Sequence, residues 1–390
     1  MQLIASADQI TPTVTPDGAQ RRILSYGGRL MLVQFTFDAG VTSWHHSHPH
    51  EQLGYVVSGE IDFVMDGQEP VRLKAGGSYY VPPDVAHHIV TYAPTVLIDA
   101  FTPVQKEEWL SLKYSTSTLG CTDWDLPAVI ACLSRSGYHA VDFRGLRGTF
   151  NLWELPEFSS EAATSLARLR DAGLAVSCFS ASARLVWRNE AERDRALDEV
   201  RRLVELCRRF DAGQIRVFGG DLGDLSRSAG LARGREMLAR LAEIVRGTGV
   251  KLAVETHDAW TRSADLLALI EGTDPQEVGV CWDVKHPYWI GEETPAFTWR
   301  QIGPRVINTH WKDTQRDRTT GRDRLCLPGD GVLPLADCLD VLIGGGYAGY
   351  YTLEWERHWH PYLADATTAF PAFLRHMERL RGQIAAAQGC

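Results

Sequence analysis

The 390-residue sequence predicts two domains, an all-β antiparallel barrel or sandwich followed by an α/β barrel of eight strand–helix units. Three observations carry this. The length suits two domains better than one. Residues 1–112 read as short strands broken by Gly and Pro turns, without helical periodicity. From about residue 115, short apolar runs alternate with amphipathic helical stretches.

In the first part, Leu30–Phe37 is the first clear strand, apolar at its start and alternating at its end. Gln52–Val57, Glu60–Met65, Val71–Leu73, Ser78–Val81 and Val96–Phe101 follow, with Asp66-Gly67 as a hairpin signal. In the second part the runs are His139–Phe143, Ala175–Phe179, Gln214–Phe218, Lys251–Thr256, Val278–Asp283, Val306–His310 and Tyr350–Trp355. An opening strand near Tyr114–Cys121 makes eight. Helical stripes fall at Glu190–Phe210 and Arg235–Arg246, and Leu335–Ile343 runs into the stop Gly344-Gly345-Gly346. About 275 residues holding eight such units fit a (β/α)8 barrel, whose usual size is about 250. The domains are therefore set at 1–112 and 113–390.

Composition narrows the function. Hydrophobic residues make up 44% and charged residues 23%, which is ordinary for a globular chain. A formal charge of −9 argues against nucleic acid as a partner. No apolar run is long enough to cross a bilayer, and the start lacks the basic flank and apolar core of a signal peptide. The eight cysteines contain no CxxC pair, which predicts reduced, mostly buried thiols and a cytoplasmic setting.

Four strands of the second part end in metal-type ligands: Glu255, Asp283, His310 and Glu354. The C-terminal ends of strands in a (β/α)8 barrel converge on one mouth, so these side chains would face one point. Any one alone reads as a solvated loop residue. Together they call for a cation, because clustering unpaired buried carboxylates is costly. Three carboxylates and one imidazole suit a divalent ion, manganese foremost, with magnesium, cobalt and zinc as alternatives. His257, His286, Lys312 and Asp313 stand beside them. His257 shares a face with Glu255 if the strand runs on; otherwise it points away. Lys312-Asp313 reads equally as substrate contact or as a local ion pair holding the loop.

This order of ligands resembles the xylose isomerase-like TIM barrels, which include ketose 3-epimerases and inosose dehydratase. The resemblance covers the whole second half. It implies that Glu255 and Glu354 are also the catalytic acid/base pair, that His286 meets a substrate hydroxyl, and that Arg316 contacts substrate. Leu327-Pro328-Gly329-Asp330-Gly331 takes the place of the family's Gly-rich turn. A second acidic residue, frequent six positions after the first ligand, is Thr261 here.

Residues 40–59 and 76–87 resemble the two cupin motifs. Gly40, His46, His48 and Gly59 fit the first, with Gln52 at the usual Glu position, and His87 is the third histidine. The resemblance implies a cupin barrel with a second transition metal held by His46, His48, Gln52 and His87. Gln52 is a neutral and weaker ligand than Glu, and a metal-free barrel is the other reading. His45, His50 and His88 add to the cluster as neighbours.

Taken together these residues imply a metal-dependent carbohydrate isomerase or epimerase. It would act on a keto sugar or related polyol through a metal-stabilised enediolate. A lyase, either an inosose-type dehydratase or a β-eliminating enzyme on a 3-keto glycoside, would use the same intermediate. A non-catalytic sugar sensor is the reading from another class. Membrane partners are not expected, and both resemblances imply homo-oligomers.

Overall fold

The computed structural model describes residues 4–15, 17–27, 30–48, 50–102, 112–316, 321 and 323–387. They form two compact units, one within Met1–Ser111, Leu342–Tyr347 and Arg381–Cys390, the other within Leu112–Val341 and Ala348–Leu380. The boundary expected at residue 112 adjoins residues 103–111, which lie outside the described residues.

In the first unit, period-two burial builds the fold. Side chains of successive strand residues point to opposite faces, so Gln52, Gly54 and Val56 face inward along one strand and Ile61, Phe63 and Met65 along the next. The strands are β1 Thr13–Val14, β2 Gln20–Gly27, β3 Leu30–Phe37, β4 Glu51–Ser58, β5 Glu60–Met65, β6 Val71–Lys74, β7 Ser78–Val81, β8 His87–Thr91 and β9 Thr95–Thr102. They form two antiparallel sheets, ordered β1-β2-β3-β9-β4-β7 and β6-β5-β8. The core lies between them: Phe37, Val56, Val81 and Leu97 from the first, Ile61, Phe63 and Ile89 from the second. Strands β1, β2 and β8 are additions to the sequence reading. In β2 every residue after Gln20 is half-buried, so no alternation marks it, and Arg21-Arg22 masks its apolar content.

The second unit is a closed barrel of eight parallel strands. These are β10 Lys113–Ser117, β11 Ala140–Phe143, β12 Ala175–Arg184, β13 Gln214–Phe218, β14 Lys251–Glu255, β15 Val278–Asp283, β16 Val306–Trp311 and, after a hairpin of β17 Asp313–Arg316 and β18 Asp323–Cys326, β19 Tyr350–Leu353. Buried on both faces, β14 and β15 are nearly continuous apolar runs up to their terminal acids, as parallel strands covered by helices tend to be, whereas β10 is mostly Ser and Thr. Helices follow the strands, and some start on side-chain caps: Asp125 accepts from Ala128 N, and Asn189 accepts from Glu192 N. Helix Arg227–Val245 starts two turns earlier than its apolar stripe suggests. Its early turns carry Gly230 and Gly234, weak helix formers. Gly234 packs closely against a neighbouring helix, since a Cβ there would lie 2.6 Å from Leu269 Cδ1.

Candidate metal centres

Strand register brings the barrel residues together. Glu255 pairs with Cys281 across β14 and β15, Asp283 with His310 across β15 and β16, and His310 with Thr352 across β16 and β19. Glu354 follows directly after β19, anchored by its N–H to Trp311 O at 2.9 Å. Carboxylate oxygens of Glu255, Asp283 and Glu354 lie within 4.8 Å of one another. His310 Nδ1 is 2.8 Å from Glu255 Oε1 and 3.4 Å from Glu354 Oε1, and its Nε2 is 3.3 Å from Asp142 Oδ2. All four predicted ligands are thus in one cluster.

The chain sets its own cations against these acids. Lys312 Nζ is 2.8 Å from Asp283 Oδ2 and ion-paired to both Glu354 and Glu356. Arg216 Nε is 3.4 Å from Glu255 Oε2. Burial disfavours charge on Lys312, but Asp283, Glu354 and Glu356 outweigh it and hold the ammonium well above its ordinary range. Burial likewise opposes charge on Glu354, yet Lys312, His310 and Arg216 pull its carboxyl well below the usual range. Glu356, half-buried and facing Lys312, falls to about 2. His310 is raised against burial by Cys281, Glu354 and Glu255. The carboxylates supply this at neutral pH, because burial pushes the Cys281 thiol to about 12.

The donor set fits a divalent ion. Glu255 Oε2 and Asp283 Oδ2 are buried and lack an aligned hydrogen-bond partner, despite the cations near them. Orphaned, inward carboxylate oxygens from separate strands are what a hard or borderline cation would complete.

Around the cluster, the structure settles several positions. The strand stops at Glu255, and His257 N turns back to Glu255 O at 2.9 Å. His257 nevertheless stays at the mouth, its ring 4.3 Å from that of His286. Burial lowers His286 to about 4, so it is a neutral imidazole. Burial is outweighed at His257, which is raised by its hydrogen bond to Asp258 and by Glu255. The local Lys312–Asp313 ion pair does not form, because each side chain is taken by other partners. Lys312 turns into the mouth, while Asp313 accepts the amides of Gly329, Gly331 and Leu333 and so holds the Gly-rich turn. Arg316 is not in the cluster; it is exposed on β17, with its guanidinium 5.5 Å from the Trp289 ring centre. Thr261 is buried and donates to Asp258 O.

Glu356, Asp142 and Arg216 were missed by the sequence reading. The available signal was a charged residue inside an otherwise apolar strand run: Asp142 in β11 and Arg216 in β13. Glu356 sits two residues after Glu354 and so shared its visible string.

The cupin unit has its own cluster. Ring nitrogens of His46, His48 and His87 lie within 4.8 Å of one another. Each Nδ1 faces a backbone carbonyl: Trp44 O at 2.8 Å, His50 O at 3.1 Å and Val85 O at 3.0 Å. A carbonyl only accepts, so Nδ1 carries the proton and Nε2 keeps its lone pair. Burial lowers His87 to about 4, leaving it neutral. Gln52 Oε1 is 2.9 Å from His48 Nε2, and Gln52 hydrogen-bonds to Asp99 on its other side. A carboxylate takes the amide N–H, so the oxygen faces the imidazole, and two acceptors then meet. A cation between them removes that conflict. His45 instead pairs with Asp66 at 3.0 Å, and His50 is buried beside His48.

A cavity of about 360 Å³ opens over the histidines, walled by Phe63, Tyr79, Phe101 and Asp99. Burial raises Asp99 to about 6, against the Tyr79 hydroxyl that donates to it at 2.8 Å. The sequence reading missed Asp99; its signal was an acid on the inward face of the alternating strand β9.

Fold and clusters define a two-domain protein in which each barrel gathers ligands suited to a metal. Residues 130–380 match the family model described as xylose isomerase-like TIM barrel, and residues 33–101 match the cupin domain model. The chain belongs to the xylose isomerase-like TIM barrel family and carries an N-terminal cupin domain. The pectin degradation protein KdgF of Dickeya dadantii is 34% identical over 89 residues, 22% of this chain and 80% of that protein. An inosose dehydratase of Bacillus anthracis is 25% identical over 124 residues, which is 28% of this chain and only 38% of the dehydratase. The crystal structure of the IolI protein with a zinc atom shares the barrel fold, with a TM-score of 0.57 and 15% identity over 71% of this chain and 99% of that one. Among the described residues, no helix is long and apolar enough to cross a membrane, and the seven described cysteines are free thiols.

Proposed function

We propose that the chain is a metal-dependent carbohydrate isomerase or epimerase acting at the barrel mouth on a keto sugar or related polyol. The observation that carries this is the convergence of Glu255, Asp283 and Glu354 within 4.8 Å, with His310 against two of them and two carboxylate oxygens left without hydrogen bonds. Glu255, Asp283, His310 and Glu354 would hold the ion. A divalent ion bound there supplies the positive charge that acidifies a C–H beside a substrate carbonyl.

The chain's own groups do the rest. Glu255 and Glu354 are the acid/base pair: one removes the proton from the carbon, and the other returns it. Return to the opposite face of the same carbon inverts it, and return to the neighbouring carbon moves the carbonyl. Lys312, protonated and paired to Glu354, keeps that carboxylate ionised. The adjacent His257 and His286 meet substrate hydroxyls, His286 as a neutral ring able to donate or accept.

A second reading, elimination of water from the same enediolate, is favoured by the identity to inosose dehydratase. Proton NMR in D2O on a panel of ketoses and keto-inositols tests both. An epimerase or isomerase incorporates deuterium with no loss of oxygen; a lyase releases water and yields an alkene or enol product. Glu255→Gln and Glu354→Gln each abolish turnover while circular dichroism is retained. Full activity in both would remove these residues from the mechanism, and sugar binding with no turnover on the panel would favour the sensor.

His46, His48, Gln52 and His87 are proposed to hold a second transition metal in the cupin. Elemental analysis should then give close to two metals per chain, falling towards one in His87→Ala. The same reading includes a cytoplasmic setting and a homo-oligomer, which sedimentation tests.

A further inference from the structure

Arg144 directly follows β11, at the C-terminal end of the barrel strand that carries Asp142. It is 7% exposed. Its guanidinium makes one hydrogen bond, from Nη2 to Ser182 Oγ at 3.0 Å, and lies 4.4 Å from the centre of the Phe150 ring. Among the described residues no carboxylate oxygen comes within 4.0 Å of it. Every other nearly buried cation at this mouth is paired: Lys312 has three carboxylates and Arg216 has Glu255. Arg144 differs, and its charge is felt. Burial first, then the neighbouring Arg216, lowers it to about 10, with Glu199, Glu354 and Asp142 acting in the other direction. The guanidinium is therefore within electrostatic reach of Glu354, one of the two proposed catalytic carboxylates.

A guanidinium has five N–H donors in a rigid fork. Here one is used. Phe150 covers one flat face and is itself stacked on Trp359, which is 53% exposed, so the edge is the part left for a ligand. Keeping such a charge buried without an anion is costly. A neutral hydroxyl would not offset that cost, whereas a carboxylate, planar and singly charged, matches the fork.

We propose that the barrel's substrate is a sugar acid, a keto sugar carrying a carboxylate, and that Arg144 receives this carboxylate. This rests on the enediolate reading for the reaction but concerns a different part of the substrate. A carboxylate is favoured over a phosphate because the neighbouring Arg216 is already engaged by Glu255, which leaves Arg144 as a single free fork with too few donors for a dianion.

The test compares ketohexoses with their 6-carboxylates: D-fructose with D-fructuronate, and D-tagatose with D-tagaturonate, on the manganese-loaded full chain. Calorimetry reads binding, and deuterium exchange in D2O reads turnover. The acids should bind about 10- to 100-fold tighter than their neutral partners, the range expected of charge-assisted hydrogen bonds. Arg144→Gln should erase that preference, and Arg144→Lys should restore part of it, since charge returns without the fork. The Tm of Arg144→Gln should not fall, because an unpaired buried charge has been removed; a purely structural arginine would lower it. Equal binding of acid and neutral sugars overturns the proposal. So does tighter binding of D-fructose 6-phosphate than of D-fructuronate, or a lowered Tm in Arg144→Gln with the preference intact. Arg144-dependent binding of the acids without any deuterium exchange would instead sink the isomerase reading and leave this one standing.

Discussion

Lys312 is 1% exposed and its ammonium is shared by Asp283, Glu354 and Glu356. Lys312→Met keeps most of the side-chain length and removes the charge. Three carboxylates then lose their shared counter-ion, and breaking a buried ion pair this way costs about 3–5 kcal/mol. In a barrel of this size each kcal/mol moves Tm by roughly 2–4 °C, so the barrel transition should drop by about 6–20 °C in EDTA. Manganese should return part of the loss, since an ion at 100 times its Kd stabilises by about 2.7 kcal/mol. The acid side changes too. Glu356 is depressed from 4.5 to about 2, so its contribution is present above pH 4.5 and lost as pH falls towards 2. In Lys312→Met that acid loss should shrink. Scanning calorimetry at several pH values, with and without manganese, reads all three effects. A variant whose transition in EDTA stays within 2 °C of wild type would refute the reasoning about counter-charge.

Asp99 gives a pH signature in the cupin. Raised from 3.8 to about 6, it holds its proton in the fold while the unfolded chain releases it, so stability falls as pH climbs from about 4 to about 6. The two-unit rise corresponds to about 3 kcal/mol. His87, lowered to about 4, acts with the opposite sign over much of the same window, because the unfolded chain binds the proton that the fold excludes. The informative quantity is therefore the difference in urea midpoint between wild type and Asp99→Asn from pH 4 to 7. A pH-independent difference would contradict it. Gly54→Ala would place a Cβ 2.0 Å from Tyr79 Cζ, displacing the ring that donates to Asp99. Such overpacking should lower cupin stability by about 1–3 kcal/mol, read by thermal melting; an unchanged Tm would show that Tyr79 moves freely. Asp313→Ala removes the acceptor for three loop amides, and faster amide exchange at Gly329 and Gly331 should follow, without change in β16.

Local spacing was enough to read most elements. Alternation marked Glu60–Met65, and short, mostly apolar runs marked Gln214–Phe218 and Val278–Asp283, all with the observed bounds. The ligand types at Glu255, Asp283, His310 and Glu354 were visible because a parallel barrel presents its strand ends at one mouth whatever the details of packing. Counter-charges were not visible. Whether Lys312 pairs with Asp313 or turns towards Glu354 depends on which side of the strand faces the mouth and on Glu356 lying 44 residues away in sequence. The proton position on each cupin histidine depends on which carbonyl lies beside Nδ1, and the state of Asp99 on how completely its neighbours exclude water. Arg144 could be read as one more arginine until the fold left it buried without an acid. Residue type and period are properties of neighbours along the chain, whereas charge balance is a sum over neighbours in space, which only the closed barrel brings together.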